Sequence, residues 1–151
     1  MPQFQSTRRV RHSALKMLEL VADVEKYPQF LPYCLGSTIM RRTMAPDGKE
    51  IILVTMTVGY GPIRESFVSR ATIDRDRLKL LVQYVDGPFR RLENRWTFRP
   101  AADAGCDVDF FIDYAFRSRT FELLAGSIFE TLFRKMSDAF VERASLLDSA
   151  G

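Results

Sequence analysis

The residue pattern predicts an α+β domain. It consists of a curved antiparallel sheet of about seven strands, two short helices after the first strand, and a long C-terminal helix lying on the sheet. Three observations carry that prediction. From about residue 34 to 117, apolar and polar residues alternate with a period of two in six segments broken by turn signals. From about 119 to 147 the apolar spacing changes to three and four. No repeat, low-complexity segment or Ser/Gly/Pro linker divides the 151 residues, so a single domain over 1–151 is expected.

The elements follow in order. Phe4 to Arg11 alternates weakly and reads as the first strand. Ser13 then supplies a helix N-cap, with Leu15, Leu18, Val21 and Ala22 expected on one buried face. Asp23 is placed to cap a second short turn that ends at Pro28, because the segment from Tyr27 to Tyr33 carries two prolines. Strands are expected at 34–44, 49–59, 62–74, 77–85, 91–99 and 106–117, separated by Gly-, Pro- and Asp-rich turns. Leu92, Asn94, Trp96 and Phe98 share one face with Cys106, Val108, Phe110, Ile112, Tyr114 and Phe116. Arg91, Arg95 and Arg99 share the other with Asp107, Asp109 and Asp113, so a hairpin would form a cross-strand ladder of ion pairs. In the last helix Phe121, Leu124, Phe129, Leu132, Phe133, Met136, Phe140, Leu146 and Leu147 lie on one stripe. A stripe that long needs a broad apolar surface, and the concave face of the sheet is the one available.

Composition narrows the chemistry. The chain has twelve Phe but one His (His12) and two Cys (Cys34, Cys106). A structural zinc needs about four such ligands, so none is expected. The thiols are expected to be reduced, buried and unpaired. His12, at a strand-to-helix junction, reads as a surface residue, and no nucleophile elbow, P-loop or dinucleotide fingerprint is present. The N-terminus lacks a secretory h-region, and the longest uncharged run, Tyr27 to Met40, is short of a membrane span. A cytoplasmic protein is expected, with peripheral contact at the inner face of the membrane as a further location. Net charge is only +3, with 22 bases against 19 acids. The arginines therefore read as a solvated sheet face rather than a DNA-binding one, leaving an anionic membrane surface or ribosomal RNA as weak partners for the N-terminal arm.

The inward-facing set is more informative. Met56, Trp96, Tyr114, Met136 and seven of the twelve Phe, from Phe110 onward, converge on the space between sheet and helix. Glu65 shares parity with Phe67, Ser69, Ala71 and Ile73, and Asn94 lies between Leu92 and Trp96. Such inward polar groups either pair internally, with Glu65 at the open end of the sheet, or meet the polar head of a ligand. The pattern is equally consistent with a filled core and with a cavity.

The chain resembles the ubiquinone-binding protein family related to the polyketide cyclase/dehydrase and lipid-transfer (START-like) superfamily. The resemblance rests on Val21-Ala-Asp-Val-Glu-Lys-Tyr-Pro-Gln-Phe-Leu-Pro-Tyr-Cys34, Gly87-Pro-Phe-Arg-Arg-Leu92 leading to Trp96-Thr-Phe98, Gly105-Cys-Asp-Val108 and Phe140-Val-Glu-Arg-Ala144. It covers nearly the whole chain. It implies a helix-grip fold and a greasy cavity with Phe30, Leu31 and Tyr33 at its entrance and Trp96, Phe98, Phe110, Phe121, Phe129 and Phe133 along its walls. Tyr33 stands where many relatives carry Trp, and Ser118-Arg119 replaces a proline-containing entry to the last helix. With the inward Met56, Glu65, Phe67, Asn94, Tyr114 and Leu124, these residues form the expected ligand-binding set, with no catalytic residue, metal or catalytic cofactor. The resemblance implies non-enzymatic binding or chaperoning of ubiquinone or a similar long-chain lipid, in support of respiration or quinone biosynthesis. A bacterial branch described as a ribosome association toxin gives a second expectation, inhibition of subunit joining. A cyclase or dehydratase acting through Glu65 gives a third.

Overall fold

The computed structural model describes residues 3–150, except the side chains at 60, 63, 120, 121, 123–130 and 148–150. The strands are β1 (Gln3–Val10), β2 (Cys34–Met44), β3 (Glu50–Tyr60), β4 (Ile63–Asp74), β5 (Lys79–Asp86), β6 (Phe89–Pro100) and β7 (Cys106–Phe116). Between β1 and β2 lie α1 (Ala14–Ala22) and a 3-10 turn (Val24–Gln29), and α2 (Arg119–Ala150) closes the chain. All seven strands form one antiparallel sheet in the order β1-β7-β6-β5-β4-β3-β2, so β1 and β2 are its edges. This is the helix-grip arrangement, with one layer of helices on the concave face.

Local chemistry explains the elements. The Ser13 hydroxyl accepts a hydrogen bond from the Lys16 amide at 3.1 Å and starts α1. The period-two expectation holds through β6 and β7, where Trp96 pairs with Phe110, Asn94 with Ile112 and Leu92 with Tyr114. On the convex face Arg99 meets Asp109, Arg91 meets Asp113 and Arg9 of the neighbouring β1 meets Asp107, giving the charge ladder. Arg95 departs from it. Its guanidinium pairs with Glu93 on its own strand and lies 5.0 Å from the Phe111 ring centroid, so the convex face does carry an aromatic.

Four expectations are corrected. Leu15 is 52% exposed, because α1 turns Ala14, Met17, Leu18, Leu20 and Val21 inward instead. The Asp23 side chain caps nothing. The turn after it begins with a backbone bond from Lys26 to the Asp23 carbonyl and runs through Pro28. Leu146 and Leu147 are exposed, since Ala144 is the last buried position of α2 among the described residues. His12 is only 8% exposed and lies 3.4 Å from the Ser145 hydroxyl, because α2 folds back over the β1–α1 junction. Burial there, followed by the charge of Lys16, pulls its pKa down.

The concave side divides into two parts. Toward α1, Met17, Leu18 and Val21 pack with Ile52, Ile73, Phe98 and Cys106 into a filled core. That end is closed by charge. The Glu50 carboxylate, 5% exposed, is held by Arg42 and, at 3.0 Å, by Arg75, which also bonds Glu19 of α1 at 2.8 Å. Toward the turn after the first helix, the interior opens.

Candidate ligand cavity

A cavity of about 160 Å³ lies between the open end of the sheet and α2. Inward residues of consecutive strands build its walls through the sheet register: Val54, Met56 and Val58 from β3, Phe67, Ser69 and Ala71 from β4, Leu80 and Val82 from β5. β6 adds Phe89, Leu92, Asn94 and Trp96, and β7 adds Phe110, Ile112 and Tyr114. The roof is Leu132, Phe133, Met136 and Phe140 of α2, one face at spacings of three and four. Val24, Tyr27, Leu31, Pro32, Tyr33 and Cys34 complete it from the segment before β2.

Aromatic contacts stiffen the walls. Trp96 meets Phe110 edge-on at 4.8 Å and Phe140 at 5.3 Å, and Tyr114 meets Phe133 at 5.5 Å. Several lining polar groups are already engaged. The Asn94 amide donates to the Phe111 carbonyl at 2.9 Å, and its oxygen accepts from the Trp96 indole at 2.8 Å. Asn94 is thus paired internally, and it fixes the plane of Trp96. The Tyr27 hydroxyl donates to the Val21 carbonyl, and burial drives its pKa well up. Burial also pushes the Cys34 thiol up, against a weak bond to the Gly36 carbonyl, so it stays a neutral thiol at pH 7.

Tyr33 links the lining to the surface of α2. Its backbone has φ 69°, its carbonyl accepts from the Gly59 amide at 2.8 Å, and its phenol oxygen accepts from Lys135 Nζ of α2 at 3.1 Å. The same ammonium stands 5.7 Å from the ring centroid. Tyr33 therefore ties the segment before β2 to α2.

Of the residues singled out from sequence, Leu31, Tyr33, Met56, Phe67, Asn94, Trp96, Phe110, Tyr114 and Phe133 line this space. Three others do not. Phe30 packs outside it against Tyr27 and Phe140, under the Arg143 guanidinium. Phe98 lies one inward position beyond Trp96, in the filled core with α1. Glu65 pairs with the lining residue Val58 at the open end of the sheet and is half-buried, but is not itself part of the lining. The side chains of Phe121, Leu124 and Phe129 lie outside the described residues. Ser69, Ala71, Leu80 and Val82 were legible only as inward parity, without an aromatic to draw attention to them.

A cavity of this size, in this composition, accommodates a single six-membered ring, by analogy with dry apolar cavities of about 150 Å³ that take up benzene. Among the described residues no three His, Cys, Asp or Glu side chains converge on a metal site, and no helix is long and apolar enough to cross a membrane.

Comparison with known proteins gives a consistent set. The sequence profile of the family described as polyketide cyclase / dehydrase and lipid transport matches residues 10–141. The chain is 35% identical over 150 residues to the ribosome association toxin RatA of Escherichia coli K12, covering 99% of this chain and 91% of that protein. It is 27% identical over 136 residues to the mitochondrial coenzyme Q-binding protein COQ10 of Drosophila melanogaster, covering 88% of this chain and 54% of that protein. Among solved structures, an 18 kDa protein of Caulobacter crescentus aligns with TM-score 0.82 at 28% identity over 99% of both chains. A START superfamily protein of Mycobacterium smegmatis aligns with TM-score 0.80 at 18% identity over 96% of this chain and 98% of that one, a likeness of fold alone.

Proposed function

The chain belongs to the polyketide cyclase/dehydrase and lipid transport family, and we propose that it binds the ring of a quinone-like lipid in its interior without transforming it. The observation that carries this reading is the apolar, aromatic-walled cavity between the sheet and α2. The likeness to a coenzyme Q-binding protein supports a quinone as the ring. Size refines the reading: the cavity takes a headgroup, and a long isoprenoid tail must leave past Tyr33 toward the surface. There it meets a membrane or water, and since each buried CH₂ contributes roughly 0.8 kcal/mol, a membrane is strongly favoured. The protein thus acts at the inner face of the cytoplasmic membrane as a peripheral carrier or chaperone. The position of Glu65 outside the lining speaks for binding over cyclase chemistry, because a general acid or base must reach the reacting atoms.

Trp96 is the one tryptophan in the chain and stands in the cavity wall, so its fluorescence reports occupancy. Titration with a short-chain ubiquinone should quench it with one-to-one stoichiometry, and solvent extraction of purified protein should release a quinone. No quenching and no extracted lipid would overturn the proposal.

A second reading, association with the ribosome, is favoured by the 35% identity to RatA across nearly the whole chain. Sucrose-gradient profiles on overexpression separate the two. Loss of 70S particles with a rise in free subunits supports the ribosomal role, whereas an unchanged profile leaves the carrier reading alone.

A further inference from the structure

Ser69 is 4% exposed, yet its hydroxyl makes no hydrogen bond to another described residue, and the side chain lines the cavity. Its oxygen is not sealed in the wall, as the Ser37 hydroxyl is, but open to the cavity, where it is available to a bound molecule. The surroundings sharpen the contrast. Asn94 and Trp96 satisfy each other, Tyr27 bonds a backbone carbonyl, and the remaining neighbours of Ser69 on its own face, Phe67 and Ala71, are apolar. The neighbouring ladder is irregular here: Val68 pairs with Asp86 and Ser69 with Tyr84, so the extra residue is Val85 of β5, while Ser69 keeps its regular pairing with Val54 of β3 and its inward direction.

We propose that Ser69 is the polar anchor of the cavity, its hydroxyl donating a hydrogen bond to a ring carbonyl oxygen of the bound molecule. This rests on the reading of the cavity as a quinone site and adds the residue that orients the ring. A carbonyl suits the position because it needs a donor and brings none. The serine oxygen also accepts, so the infrared readout below, a lowered carbonyl stretch, is what separates a ring carbonyl from a ring hydroxyl. The anchor also sets specificity. A hydrocarbon ring of the same shape fills the volume but leaves the serine unsatisfied, whereas a quinone satisfies it.

The test compares two probes of matched shape, tetramethylbenzoquinone and tetramethylbenzene, on delipidated protein, read by Trp96 fluorescence. Both should bind the wild type. Ser69→Ala should weaken the quinone about fivefold, the range set by a net hydrogen bond, and leave the hydrocarbon within twofold. Ser69→Thr, which keeps the hydroxyl, should retain most of the quinone affinity. In the wild-type complex, infrared spectra should show one of the two quinone carbonyl stretches lowered, a readout that needs no variant to fold. An unshifted carbonyl, or equal losses for both probes in Ser69→Ala, overturns the anchor while leaving the cavity as a binding site. Failure of both probes to bind the wild type overturns the quinone reading itself.

Discussion

Replacing Ala71 with leucine tests the emptiness of the interior by the sign of the effect. Ala71 is 2% exposed, faces inward between Ile52 of β3 and Val82 of β5, and forms part of the cavity wall. The substitution adds three carbons. Buried in free space they contribute about 2.4 kcal/mol at roughly 0.8 kcal/mol each, and ordering the longer side chain takes back about 0.5–1 kcal/mol. The net is about 1.5 kcal/mol of added stability, or about 3–6 °C in Tm for a domain of this size. In a tightly packed core the same change would cost about 1–3 kcal/mol by overpacking. The measurement is a thermal or urea melt of delipidated Ala71→Leu beside wild type, with a quinone titration on each. A rise in Tm together with at least a tenfold loss of quinone affinity is expected. A fall in Tm would refute the reasoning, because it would mean the volume beside Ala71 is already filled.

Three further outcomes follow from other parts of the molecule. Burial alone would raise the Glu50 carboxyl, but hydrogen bonds and charges from Arg42 and Arg75 outweigh it and hold its pKa below the usual glutamate range. Its contribution is therefore complete above the unfolded-state pKa and lost as pH falls through the lower folded-state value. Glu50→Gln should cost about 2 kcal/mol at pH 7, the half-exposed guanidinium groups keeping it at the low end for charged hydrogen bonds, and urea midpoints should show the gap closing in strong acid. Gly87 has φ +144°, and a Cβ there would stand 2.6 Å from Phe67 Cβ, so Gly87→Ala should cost at least about 2 kcal/mol and lower Tm by roughly 4–8 °C. Lys135→Met removes the link to Tyr33 and should speed quinone release about two- to fivefold in stopped flow, with Tm unchanged.

Much of this architecture is legible in the sequence, because its determinants are local. Period-two alternation in β6 and β7 puts Trp96 and Phe110 on one face and Arg99 and Asp109 on the other; the register sets Trp96 opposite Phe110, and Arg99, opposite Asp107, bonds diagonally to Asp109. Ser13 caps α1 as its chemistry requires. The errors arose where distant segments decide. His12 looked exposed at its junction until α2 folded over it from more than a hundred residues away. Phe30, expected at the entrance, packs its ring against Tyr27 and against Phe140 of α2.

By itself, then, the sequence determined which faces of which elements are greasy, which carry charge, and that a long helix must lie on a curved sheet. The tertiary structure alone decided where that greasy interior is filled and where it is empty. Patterning specifies the direction of a side chain, whereas a cavity is the difference between the volume enclosed by several elements and the volume of the side chains they project. Only their relative placement sets that difference. It puts Phe98 in solid core, Trp96 at a wall, Glu65 outside the lining and the Ser69 hydroxyl in the open space.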